Sequence, residues 1–183
     1  MAHDYLVVHC YYKMPRLSAI FLGDTAVGKT TFIMRATEGA SVAQQQPTIG
    51  VNNIFYRTGD VTLQCWDTSG SDRFVRVIPL FVRNCDAAVY FFDAREPHTL
   101  RNVHKWREIV CSIADPPKIH ILVANFVREG QCVQTEGFEG FDILFGRNPR
   151  DTMEEIITKI CTHRESFDIE LKTTRRQCCF GIC

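Results

Sequence analysis

The segment Gly23-Asp24-Thr25-Ala26-Val27-Gly28-Lys29-Thr30 constrains this chain more than any other stretch. It matches G-x-x-x-x-G-K-[ST] and follows Arg16–Leu22, an apolar run of strand length, so a strand, a glycine loop and a helix from about Gly28 are expected. By average composition a chance match in a chain this long is on the order of 1%, and the strand-loop-helix context lowers that further. Glycine removes side-chain obstruction, so successive backbone N–H groups can wrap an anion at the start of the helix. A loop of this kind binds phosphates. Lys29 is expected to reach the β- and γ-phosphates, and the Thr30 hydroxyl to coordinate Mg²⁺. Asp24, Thr25, Ala26, Val27, Gly28, Lys29, Thr30 and Thr31 form the candidate nucleotide-binding stretch.

The rest of the chain alternates strand-length apolar runs with helical spacing, the pattern of a parallel α/β sheet. Residues 51–57 and 61–66 flank Thr58-Gly59-Asp60 and read as an antiparallel hairpin. Ala87–Phe92 and Ile119–Ala124 are continuous apolar runs and read as central buried strands. Between them, Leu100, Val103, Arg107, Val110 and Ala114 keep mostly helical spacing. Asn148-Pro149 is a helix start, and Met153, Ile156, Ile157, Ile160 and Cys161 follow as one apolar stripe. The expected fold is α/β, one doubly wound domain. The domain is expected over 16–165, with an N-terminal extension at 1–15 and a tail at 166–183.

Lys plus Arg and Asp plus Glu each number 21, so the formal net charge is zero. A nucleic-acid partner, which would call for excess positive charge, is not expected. The start of the chain has no basic leader with a long apolar core, so no secretory signal is expected. Nine cysteines without a C-x-x-C pair make a poor disulfide or zinc framework, and the first six are expected to be reduced thiols.

Trp66-Asp67-Thr68-Ser69-Gly70 closes the hairpin, and Pro47-Thr48-Ile49-Gly50-Val51 precedes it. With GDTAVGKT, LQCWDTSG, the Arg-Phe of SDRF and the cysteine-rich end, these segments resemble the Ras superfamily and its Rab branch. The resemblance runs from about residue 16 to residue 113 and then weakens. It implies a small G-protein fold of the P-loop NTPase class, a mostly parallel six-stranded sheet with one antiparallel strand and helices on both faces, binding GTP or GDP with Mg²⁺. It makes Thr48 the switch-one ligand of magnesium and the γ-phosphate, has Asp67 hold the metal through water, and has Gly70 touch the γ-phosphate through its backbone. Residues 41–51 and 70–83 would be the switches, meeting effector, exchange and activating proteins.

Several positions depart from that family. Ser71 stands where a Gln usually orients the attacking water, so slow intrinsic hydrolysis is expected, with no certain catalytic residue. In place of N-K-x-D stands Asn125-Phe126-Val127-Arg128: Asn125 remains, but Arg128 replaces the Asp, and a donor-only cation cannot accept from guanine. Glu129, one residue later, is an acceptor only if the loop shifts. Leu144-Phe145-Gly146 stands for S-A-K, and the aromatic that stacks on the base would fall near Ser41. The chain between Asn125 and Leu144 is about ten residues short and glycine-rich, so the fourth surface helix is expected to be shortened or missing.

At the end, Lys172, Arg175 and Arg176 precede Cys178-Cys179-Phe180-Gly181-Ile182-Cys183. The resemblance implies geranylgeranyl groups on Cys178, Cys179 or Cys183 and an anchor on the cytoplasmic face of an intracellular membrane, with a cytosolic pool. Two functions stay open at this point. One is a Rab-like GTP switch in vesicle-mediated membrane traffic. The other is a non-cycling adaptor that keeps phosphate and magnesium binding without guanine selectivity. A P-loop kinase of small molecules is disfavoured, because the chain has no room for an acceptor-binding lid.

Overall fold

The structure is a computed structural model that describes residues 16–39 and 46–179, with side chains as far as Arg164. Six strands form one sheet: β1 (Arg16–Leu22), β2 (Val51–Thr58), β3 (Val61–Thr68), β4 (Ala87–Asp93), β5 (Ile119–Asn125) and β6 (Asp142–Phe145). Their order is β2-β3-β1-β4-β5-β6, and only β2 pairs antiparallel, with β3. Among the described residues the helices are α1 (Lys29–Glu38), α2 (Ile78–Val82), α3 (Pro97–Cys111) and α4 (Pro149–Cys179). A short 3₁₀ segment, Asp72–Val77, leads into α2.

Side-chain alternation divides the central strands between two cores. Leu17, Ala19 and Phe21 of β1 and Ala87, Val89 and Phe91 of β4 face one side, where Phe32 and Ile33 of α1 and Met153, Ile156 and Ile160 of α4 cover them. Ile20 and Leu22, with Ala88, Tyr90 and Phe92, face the other, under Ile78 and Val82 of α2 and Val103, Trp106 and Val110 of α3. Strands buried on both faces must be apolar at every position, which is why β4 reads as an unbroken run. The stripe expected on the last helix is buried from Met153 to Ile160. Asn148 caps this helix, its Oδ1 accepting from the Arg150 N–H at 3.1 Å.

Between β5 and β6 there is no helix. Residues 126–141 form turns, with Gly130, Gly137 and Gly140 at positive φ. The face that a helix would cover is closed by aromatic rings instead. Phe138 is buried, stacks on His104 at 4.5 Å and meets Phe141 edge-on at 5.5 Å. Phe141 in turn touches Tyr90 and lies under the Arg107 guanidinium.

One boundary differs from the sequence expectation. Helix α4 continues to Cys179, through most of the stretch read as a tail. Residues 165–179 contain neither Gly nor Pro and are rich in Glu, Lys, Arg, Leu and Gln, which favour helix. Among the described residues, no helix is long and apolar enough to cross a membrane.

Candidate functional site

The site lies at the C-terminal ends of the parallel strands. There β1 sits between β3 and β4, and the connections on its two sides diverge, the usual ligand position in an open α/β sheet. The phosphate loop leaves β1 and enters α1 through Gly28, whose φ of 87° lies in the left-handed region. A Cβ there would fall 2.5 Å from Asn125 Nδ2 and 2.9 Å from the Phe126 ring, so Gly28 is required by conformation and by space.

Lys29 is buried, and its Nζ donates to the carbonyls of Gly23 at 2.7 Å and Asp24 at 2.9 Å. Burial lowers its pKa to about 8, against the opposing pull of Asp67 and Asp24. The loop is tied down from two directions. Asp24 Oδ1 accepts from Trp106 Nε1 at 2.9 Å and Oδ2 from Asn102 Nδ2 at 2.7 Å, joining it to α3. Asn125 Nδ2 donates to the Val27 carbonyl at 2.8 Å, joining it to β5.

Three residues distant in sequence converge at the mouth of the loop. Thr30 Oγ1 donates to Asp67 Oδ2 at 2.7 Å and lies 2.8 Å from Thr48 Oγ1, while Thr48 reaches Asp67 Oδ2 at 3.4 Å. Asp67 is buried, its pKa is raised by desolvation, and its Oδ1 is buried with no hydrogen-bond partner. A buried carboxylate oxygen left unpaired is costly unless something binds it. Two hydroxyls beside one carboxylate form a hard oxygen set, the kind that suits Mg²⁺ sharing ligands with phosphate. The residues present fit that ion. Among the described residues, no group of three or more His, Cys, Asp or Glu side chains could hold a metal.

A cavity of about 600 Å³ surrounds this point and takes in Thr25, Lys29, Thr48, Gly70, Ser71 and Arg73. Gly70 presses on the loop: a Cβ there would lie 2.2 Å from Asp24 C and Thr25 N. Ser71 begins the 3₁₀ segment, its N–H donating to Ser69 Oγ at 3.3 Å and its carbonyl accepting from Phe74 N at 3.0 Å. Lys105 of α3 pairs with Asp72, so the segment after Gly70 is joined to the helix that also holds Asp24.

A second cavity, of about 160 Å³, shares Gly28 and Thr31 with the first and includes Arg35, Asn125, Phe126 and Arg147. Arg128 is exposed and does not line it. Ser41, and residues 41–45 of the first switch, lie outside the described residues. The side chains of Cys178 and Cys179, and Cys183 altogether, also lie outside them. Among the described residues, Cys65, Cys85, Cys111, Cys132 and Cys161 form no disulfide.

Thr30, Thr48, Gly70 and the loop residues therefore lie together around one cavity, with Asp67 joined to them through Thr30 and Thr48. The tie from Trp106 and Asn102 to Asp24, and the presence of Arg35 and Arg147 beside the loop, escaped sequence reasoning. An isolated Trp or Arg at helical spacing carries no local sign of a contact made across the fold.

A phosphate loop at the switch point of such a sheet, with a magnesium-type oxygen cluster at its mouth, defines the class of small G-protein nucleotide-binding domains. Residues 19–127 match the family described as Ras of Complex, Roc, domain of DAPkinase, and the chain belongs to this Ras-type GTPase family. It is also similar to two Arabidopsis thaliana proteins, Ras-related protein RABA6b and Ras-related protein RABA6a. Identity is 32% and 30% over 144 residues, covering 76% of this chain in both cases. The matched stretch spans 62% and 60% of those relatives' lengths.

Proposed function

We propose that the chain is a Rab-like GTP-binding switch in vesicle-mediated membrane traffic, with slow intrinsic hydrolysis. The observation that carries this reading is the convergence of Thr48, Asp67 and Thr30 on one point at the mouth of the phosphate loop. Each comes from a different segment, so a ligand held there biases both switch segments at once.

The backbone of residues 24–31 would carry the phosphates, with the Lys29 ammonium as a fixed positive charge beneath them. Thr30 and Thr48 would hold Mg²⁺ directly and Asp67 would hold it through water; when bound, the ion neutralises charge on the phosphates. Thr48 lies in the loop before β2, which is tied to the hairpin end by the Ser69 N–H donating to Gly50 O at 2.8 Å. Ser71 has too short a side chain to orient a water as a Gln does, which supports slow turnover and dependence on an activating protein. Ile49 and Leu80 are 81% and 73% exposed, one in each switch segment, which supports regulator and effector docking there. Lipid on Cys178, Cys179 or Cys183 would supply the membrane anchor.

The lining of the small cavity favours a second reading. It contains no carboxylate, which suits an adaptor that binds phosphates and Mg²⁺ without selecting guanine. The test is to purify the full chain with Mg²⁺, denature it and identify the released nucleotide. Bound purine nucleotide is expected, and EDTA should release it; stoichiometric GTP or GDP alone would support the switch. An empty site that cannot be loaded with any triphosphate would refute both readings, and mixed purine nucleotides would favour the adaptor.

A further inference from the structure

The small cavity adjoins the phosphate loop through Gly28 and Thr31, so a ligand whose phosphates lie on the loop reaches it with the group at its other end. Its charged side chains, Arg35 and Arg147, are donors only. The polar groups nearest the base position are partly committed, which leaves Asn125 one N–H and one lone pair. Asn125 Nδ2 donates to Val27 O at 2.8 Å, and Asn125 Oδ1 accepts from the Phe126 N–H at 3.0 Å. The Gly146 N–H donates to Ala124 O at 2.9 Å. Guanine shows two donor groups on its pairing edge, at N1 and N2, and no carboxylate in the lining meets them.

What the cavity offers instead is an aromatic ring held in place. Phe126 has φ of 58°, a conformation that an aromatic residue adopts only when its surroundings impose it. Its N–H is bound by Asn125, and its ring edge lies against Gly28, where even a Cβ would meet Cζ at 2.9 Å. The Arg95 guanidinium lies 4.0 Å from the ring centroid. That guanidinium is itself clamped by Asp93, with Nε to Oδ1 at 2.9 Å and Nη2 to Oδ2 at 2.7 Å. Ordering of this kind lowers the entropy lost when a flat ligand settles on the ring.

We propose that Phe126 is a base-stacking platform and that this chain recognises the base of a purine nucleoside triphosphate by stacking instead of by its pairing edge. Every base presents a π-face, so guanine and adenine nucleotides are both accepted. Arg35 and Arg147 suit this ligand class, because both purines display the N7 acceptor. The proposal rests on the phosphate loop binding a nucleoside phosphate, which the switch and adaptor readings share, and of the two it favours the adaptor.

The test is equilibrium binding of GTP, ATP and inorganic tripolyphosphate, each with Mg²⁺, to the full chain and to Phe126→Leu, which keeps apolar bulk without a π-face. GTP and ATP are expected within about tenfold of each other, and Phe126→Leu is expected to weaken both roughly tenfold while leaving tripolyphosphate binding unchanged. Unchanged tripolyphosphate affinity also shows that the variant's loop is intact. Arg95→Gln, which removes the clamp without touching the loop, should weaken both nucleotides in the same sense. A preference for GTP of more than about tenfold, beyond what stacking alone supplies, would overturn the proposal. So would nucleotide affinities that Phe126→Leu does not change, or that are no better than that of tripolyphosphate. If tripolyphosphate and both nucleotides all fail to bind the wild-type chain, the phosphate-loop reading itself fails.

Discussion

Replacing Trp106 with Phe tests whether α3 holds the phosphate loop in place. The indole is fully buried, and its Nε1 donates to Asp24 Oδ1 at 2.9 Å. A hydrogen bond to a charged group contributes about 1.5–3 kcal/mol, and the half-buried Asp24 places this one near the lower figure, about 1.5 kcal/mol. Loss of the second ring adds about 1 kcal/mol of packing, so Trp106→Phe should destabilise by roughly 2.5 kcal/mol. For a domain of this size that lowers Tm by about 5–10 °C. Asp24→Ala removes the acceptor and also breaks the exposed bond from Asn102, and should cost about 1.5–2 kcal/mol. Urea unfolding of both single variants and the double variant, without nucleotide and in EDTA, gives the coupling directly. About 1.5 kcal/mol is expected. Both single variants should also release a Mg²⁺-bound triphosphate faster, because the Asp24 carbonyl that accepts from Lys29 belongs to the same loop. Additive single costs, with a coupling below about 0.5 kcal/mol, would refute the brace.

Lys29→Met should abolish triphosphate binding while changing the stability of the metal- and nucleotide-free protein little. The fall from 10.5 to about 8 opposes the charged form by roughly 3 kcal/mol, and two lost charged hydrogen bonds of about 1.5 kcal/mol each offset it, so the net change at pH 7 is near zero. Wild-type stability should rise between pH 8 and 10.5, where the unfolded chain keeps the proton that the folded one has lost. The variant should lack that rise, as urea melts across this range will show. Gly70→Ala brings a Cβ within 2.2 Å of Asp24 and Thr25 backbone, and should cost about 1–3 kcal/mol together with Mg²⁺-dependent affinity, measurable by calorimetry. Phe138→Ala empties the aromatic cover over α3 and β4 and should cost about 3 kcal/mol, with faster proteolysis inside 126–141.

How much of the fold could be read from the chain follows from the range of the interactions involved. β4 and β5 were legible because strands buried on both faces must be apolar at consecutive positions. The last helix was legible from Asn148 and its stripe, but its C-terminal end was not, because basic and cysteine-rich residues suggest a tail while helix propensity carries on. The missing surface helix was legible from spacing and glycine content; the rings that replace it were not, since Phe138 and Phe141 sit in a polar, turn-rich stretch.

The phosphate loop was determined by sequence alone, because eight consecutive residues carry both its backbone freedom and its chemistry. What the tertiary structure decided is what surrounds that loop. The orphaned Oδ1 of Asp67, the burial that lowers Lys29, the Trp106 tie to Asp24 and the clamped ring of Phe126 all depend on contacts between residues far apart in the chain. Desolvation and cross-strand approach are properties of the packed sheet, and no local pattern encodes them.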